Sequence, residues 1–119
     1  MHAMDASALA EANVRFFAAI EAGEAVAMGA LKTINADHGE LKSMHVRSDR
    51  RGAGLADAIL EHLLQAARDA GLARVSLETG SQEPFAPARA FYGRNGFNTC
   101  RPFEGYVEDP NSVFMTRVL

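Results

Sequence analysis

The stretch Arg47–Leu64, RSDRRGAGLADAILEHLL, decides how the chain is read. It begins as a charged loop broken by Gly52 and Gly54 and passes directly into a helical pattern. From Leu55 to Ala70 the apolar residues Leu55, Ile59, Leu60, Leu63, Leu64 and Ala67 recur at helical spacing, and Gly71 stands where such a helix stops. The first N–H groups of a helix have no internal acceptor and carry the positive end of its dipole, so a phosphate is a natural ligand there. Gly52 and Gly54 let phosphate oxygens approach the backbone, and Arg50 or Arg51 adds charge-assisted contacts. The loop is built like a pyrophosphate cradle. No Gly-Lys-Ser/Thr follows, and the third glycine and downstream acid of the dinucleotide fingerprint are missing, which disfavours ATP and NAD. The same residues also fit a tight turn with solvated arginines, and the loop taken alone does not separate the two readings.

HGELKSMHV, just before the loop, reads as a strand, with Leu41 and Ser43 on one face and Glu40, Lys42, Met44 and Val46 on the other. Before it, VRFFAAIEAGEAVAMGALKTI reads as a hairpin turning at Glu21 to Glu24 around Gly23, after a short Ala-rich helical lead. Downstream, ARVSLET is a strand, FAPARAFYGRNG a second helix with Pro87 near its start and Gly96 past its end, and SVFMTRVL a closing strand. The expectation is an α/β (α+β) fold, a mixed sheet with at least two helices, in a single domain spanning residues 1–119.

Composition agrees with one compact unit: 119 residues, 48% hydrophobic, are enough for a single core and too few for two. No stretch approaches the roughly 18 to 20 apolar residues of a membrane helix, and the N-terminus lacks the basic and apolar blocks of a secretory signal, so a cytoplasmic protein without a membrane partner is expected. A single cysteine, Cys100, forms no internal disulfide, and no Cys/His spacing suggests a metal site. The net charge of -3 argues against nucleic acid as the main partner, leaving the local run Arg47, Arg50, Arg51 for a smaller anion.

Arg51-Gly52-Ala53-Gly54-Leu55-Ala56 resembles the Arg/Gln-x-x-Gly-x-Gly/Ala signature of the GNAT superfamily of N-acetyltransferases. ELKSMHV looks like that family's fourth strand, the following helix like its third, ARVSLETG like its fifth strand, and ARAFYGRNGF like its fourth helix with the usual Tyr and Gly-Phe ending. HGELKSM, SLETGS, FAPARAFY and EDPNSVFM are similar to stretches in small bacterial members of the superfamily. The resemblance covers about Phe16 to Leu119 and implies a mostly antiparallel sheet flanked by helices. Family members carry a first strand and one or two helices before the hairpin, so a shortened N-terminus is expected here, with apolar surface around Phe16 and Phe17 covered by a second copy in a homodimer.

The resemblance implies direct transfer of acetyl from acetyl-coenzyme A to an amine of a small molecule or protein, with no metal. Arg51, Gly52, Ala53, Gly54, Leu55 and Ala56 would hold the pyrophosphate. The backbone of Met44, His45 and Val46 would hold the pantetheine arm as an added strand does. Tyr92 would donate to the leaving sulfur, and Glu40 would take the amine proton through a water, with Glu78 and then His45 as alternative bases. Ordinary core packing beside Phe91 also accounts for Tyr92, and a surface pair with Lys42 for Glu40. Asp109, Asn111 and Ser112 form a turn before they form a site, and Cys100 is an apolar filler with nothing to activate it. The alternative function is a coenzyme A-binding module without efficient turnover.

Overall fold

A computed structural model describes residues 13–119. The expected helical lead and the expected N-terminal shortening lie outside the described residues. Strands β1 (Val14–Glu21) and β2 (Glu24–Thr33) form the hairpin, and β3 (His38–Val46) follows. A 3-10 turn (Ser48–Arg50) leads into helix α1 (Leu55–Asp69), then come β4 (Arg74–Gly80), a second 3-10 turn (Glu83–Phe85), α2 (Ala86–Arg94), β5 (Asn98–Cys100) and β6 (Ser112–Val118). The described strands make one sheet in the order β1-β2-β3-β4-β6-β5, antiparallel except for the β3–β4 pair. The short β5 was not anticipated: three residues are too few to show an alternation. Among the described residues no helix is long and apolar enough to cross a membrane.

The hairpin turns through Ala22 and Gly23, both with positive φ (50° and 80°), the primed geometry that follows the twist of the strands. Helix α1 lays Ile59, Leu60, Leu63, Leu64 and Ala67 on Leu31, Leu41, Val75 and Leu77 of the sheet. Each leucine, isoleucine or valine among them contributes about 1.5–3 kcal/mol by leaving water, so this contact is the chief anchor of the fold. The helix closes at Gly71 with the Leu72 N–H donating to Ala67 C=O at 3.0 Å, and buried Leu72 continues the apolar contact past the turn.

Two irregularities shape the sheet around β3. Opposite Gly29, β3 carries one extra residue: Lys42 pairs with Ala30 but His45 pairs with Met28, and Ser43 has φ 58°. This bulge corrects the simple alternation expected for β3, because one inserted residue exchanges the faces beyond it. Met44 and Val46 therefore join Leu41 against the core beneath α1. The second irregularity is a split: β3 and β4 pair only from His38 to Glu40 with Arg74 to Ser76, although both strands continue beyond. Past Glu40, the β4-facing edge of β3 has lost its partner strand.

The opposite face of the sheet carries its own cluster. Phe103 and Tyr106, from the loop between β5 and β6, stack on buried Phe114 with ring centroids 5.9 and 5.5 Å away. Phe103 also lies 5.5 Å from the ring of His38.

Candidate functional site

A groove of about 660 Å³ runs from the start of α1, along the freed end of β3, to α2. Met44, His45 and Val46 line it from β3, Arg51, Gly52, Gly54, Leu55 and Ala56 from the loop and helix start, and Tyr92 from α2. Nearly all the residues singled out for a coenzyme thus share one space; Ala53 does not line it. Gly54 caps α1 without any side-chain hydrogen bond, and the first intrahelical bond is Ala58 N–H to Gly54 C=O at 3.1 Å. The N–H groups of Leu55, Ala56 and Asp57 consequently lack helical acceptors. Gly52 and Gly54 both have φ +81°, and a Cβ on either would meet no protein atom within 4 Å. The left-handed backbone favours glycine, and the space in front of it is open.

The arginine run divides. Arg47 is committed to Asp49 and Glu24, at 2.6 and 3.2 Å, and Arg50 donates to Glu21 at 2.7 Å across to the hairpin turn. Arg51 has no carboxylate partner among the described residues; its Nε lies 3.4 Å from Val46 C=O. Of the three arginines singled out from sequence for an anion, Arg51 is therefore the one without a carboxylate partner among the described residues. Arg94, which sequence reasoning missed, lines the groove with its guanidinium 5.6 Å from the Phe91 ring centre. It lies within ARAFYGRNGF, where the tyrosine and the Gly-Phe ending drew the reading.

Tyr92 packs edge-to-face on Phe91 and Phe97, with centroids 5.2 and 5.6 Å away, and burial pushes its phenol up to about 12. The ring belongs to the core, and the side chain also borders the groove. Its hydroxyl stays protonated throughout the neutral range.

Glu40 does not line the groove. It is the last β3 residue paired to β4, at the apex of the split, and its carboxylate lies on the other face, only 3% exposed. The surface pair with Lys42 is not formed; the Tyr106 hydroxyl donates to Glu40 Oε2 at 2.7 Å. Burial, then the bond to Glu40 and the negative charges of Glu40 and Glu78, hold the Tyr106 phenol far above its usual range. Tyr106 escaped sequence analysis because RPFEGYVEDP has no periodicity; an aromatic pair around Glu104-Gly105 was the only signal. Glu78 is exposed and accepts from Ser112 Oγ at 2.6 Å. His45 is shifted down, chiefly by burial. Asp109 makes the expected turn, its Oδ1 accepting from Asn111 N–H at 2.8 Å. Cys100 is half-buried and burial raises its thiol, as a filler requires. No group of three His, Cys, Asp or Glu that could hold a metal occurs among the described residues.

A smaller hollow of about 460 Å³ adjoins at His45 and Arg51, floored by Ala25 to Met28. It contains no helix start and no split strand, so the larger groove is the better site.

The family model described as "Acetyltransferase (GNAT) family" matches residues 1–97. The chain is 43% identical, over 119 residues, to the uncharacterized N-acetyltransferase YsnE of Bacillus subtilis, covering 100% of this chain and 79% of that protein. It is similar to the crystal structure assigned as an acyl-CoA N-acyltransferase of Klebsiella pneumoniae, with TM-score 0.87 and 35% identity over 98% of this chain and 79% of that one. A GNAT family acetyltransferase of Elizabethkingia anophelis, solved with acetyl-CoA bound, shares the fold: TM-score 0.76 and 16% identity over 90% of this chain and 77% of that one.

Proposed function

This chain belongs to the acetyltransferase (GNAT) family, a family of acyltransferases, and on that premise we propose that it moves an acetyl group from acetyl-coenzyme A to a primary amine by direct attack. The observation that carries the reading is the convergence on one groove of an open glycine loop, unpaired helix N–H groups, Arg51, the freed edge of β3 and Tyr92. An anion, an extended amide-bearing arm and a thioester are what those three stretches of surface fit, in that order.

When bound, acetyl-coenzyme A supplies an activated acyl carbon and a thiolate leaving group. The amides of Leu55, Ala56 and Asp57, with Arg51, bind the pyrophosphate. The β4-facing backbone of Met44 to Val46, beyond the last β3–β4 pair, holds the arm by strand addition and donates to the carbonyl oxygen. At the apex of the split, Glu40 accepts a proton from the incoming ammonium on the opposite face, through a water. The amine nitrogen then bonds to the acyl carbon as the carbon–sulfur bond breaks. Tyr92, kept protonated by burial, gives its proton to the departing sulfur, and the second proton shed by the acylated nitrogen restores the phenol. The acceptor is a small-molecule or protein amine.

The test is to incubate purified protein with acetyl-coenzyme A and a panel of primary amines, following thiol release and acetylated product, with calorimetry for coenzyme A in parallel. Binding together with amine-dependent product is expected. Binding without product from any amine would select the coenzyme A-binding module instead, and absence of binding would overturn both.

A further inference from the structure

The loop between β5 and β6 grips β3 at two residues on one face. Phe103 stacks on His38, and two positions further along the strand Tyr106 bonds to Glu40. The loop is shaped for this: Glu104 and Gly105 both have positive φ (44° and 80°), and the Tyr106 N–H returns to Phe103 C=O at 3.0 Å. That tight turn sets the two rings 5.2 Å apart and aims both at the sheet. Phe114, directly across from Glu78 on β4, forms the floor beneath them.

The consequence falls on the carboxylate. Oε2 of Glu40 accepts the phenol, whereas Oε1 has no hydrogen-bond partner among the described residues. A carboxylate on a strand otherwise turns about its terminal torsion, which is broad and two-fold. A single directed donor on Oε2 removes that freedom and leaves Oε1 as the oxygen without a protein donor among the described residues.

We infer that Tyr106 is a positioning residue: its hydroxyl pins Oε2 of Glu40 so that Oε1 faces the acceptor amine. The inference rests on the reading of Glu40 as the base. Tyr106 itself keeps its proton; Glu40 Oε1 receives the amine's.

The protein contains two tyrosines, Tyr92 and Tyr106, which makes phenolate absorbance a clean reporter. Alkaline titration of wild type, Tyr92→Phe and Glu40→Gln should show the Tyr106 phenol moving down toward the ordinary tyrosine range when the Glu40 charge is removed. Initial rates of Tyr106→Phe, Glu40→Gln and the double variant are then compared, using acetyl-coenzyme A and the best amine of the panel. For Tyr106→Phe we expect kcat to fall about tenfold and the KM for acetyl-coenzyme A to stay constant, against about a hundredfold fall for Glu40→Gln. The double variant should be no slower than Glu40→Gln, since one group acts through the other. Multiplying effects, or an unchanged Tyr106→Phe rate, overturn the positioning role. An unmoved phenol titration in Glu40→Gln overturns the contact itself. Full turnover by Glu40→Gln with a shifted phenol leaves the contact standing and refutes the base assignment.

Discussion

Met44 and Gly29 face each other across the bulge so closely that a Cβ on Gly29 would lie 2.7 Å from the Met44 sulfur. The same Cβ would stand 2.8 Å from Leu63 Cδ1 and 3.0 Å from Ile59 Cγ2. Gly29 is thus the hole into which the displaced end of β3 folds, and through it the bulge, the α1 contact and the line of the groove are coupled. Gly29→Ala is expected to destabilise the protein by about 1–3 kcal/mol, the usual result of overpacking, and to weaken coenzyme A binding by shifting Met44 to Val46. Urea denaturation and calorimetry measure the two effects; a variant with both values unchanged would show that the core yields at no cost.

Loss of the Arg51 guanidinium should weaken coenzyme A by about 10- to 100-fold, since a hydrogen bond to a charged group is worth about 1.5–3 kcal/mol. Arg47→Ala should leave affinity within about threefold, because Arg47 is already engaged by Asp49 and Glu24. Equal losses in the two variants would mean that the groove responds to net charge alone.

Gly54→Glu places a side chain and a negative charge at the left-handed cap of α1. Coenzyme A binding is expected to fall below detection, with a fold cost of about 1 kcal/mol for the positive φ. A folded variant that binds as wild type does would move the pyrophosphate away from this loop.

Tyr92 links stability to alkaline pH. Its folded value is raised by burial above that of the unfolded chain, so its contribution is fully present below about pH 10 and lost as pH rises toward about 12. Lifting a phenol from its ordinary value to about 12 corresponds to about 3 kcal/mol. Comparing denaturation near pH 9 and pH 11, Tyr92→Phe should lose less stability than wild type. The same substitution should lower turnover while leaving coenzyme A affinity nearly intact, because only the hydroxyl is removed.

His38 has the opposite sign. Arg74 lies 3.4 Å from its Nδ1, its Nε2 is 2.6 Å from Ser76 Oγ, and Ser76 is 2.8 Å from Thr116 Oγ1. This chain of contacts assigns the neutral ring, with Nδ1 accepting and Nε2 donating. Burial, then Arg74, lower its proton affinity, so its contribution is present above the unfolded value near 6.5 and is lost as pH falls through the folded one. His38→Gln should flatten the acid side of the stability profile, measured by thermal denaturation from pH 7 to pH 5.

The groove was largely legible in the sequence because its parts are local. Gly52, Gly54 and the helix start of α1 are neighbours in the chain, and a dipole and a bare backbone arise from a few consecutive residues. The helix itself was plain from the spacing of Ile59, Leu60, Leu63 and Leu64, since burial on one side demands that period. Tertiary structure decided what depends on partners distant in sequence. The bulge at Ser43 appears only when β3 is laid against Gly29, which is why Met44 and Val46 were expected on the wrong face. Arg50 looked free until the hairpin brought Glu21 to it, 29 residues away. Tyr106 met Glu40 across 66 residues, from a loop without any pattern. Period and composition encode which residues leave water, whereas pairing between particular side chains is set by chain crossings that no local spacing records.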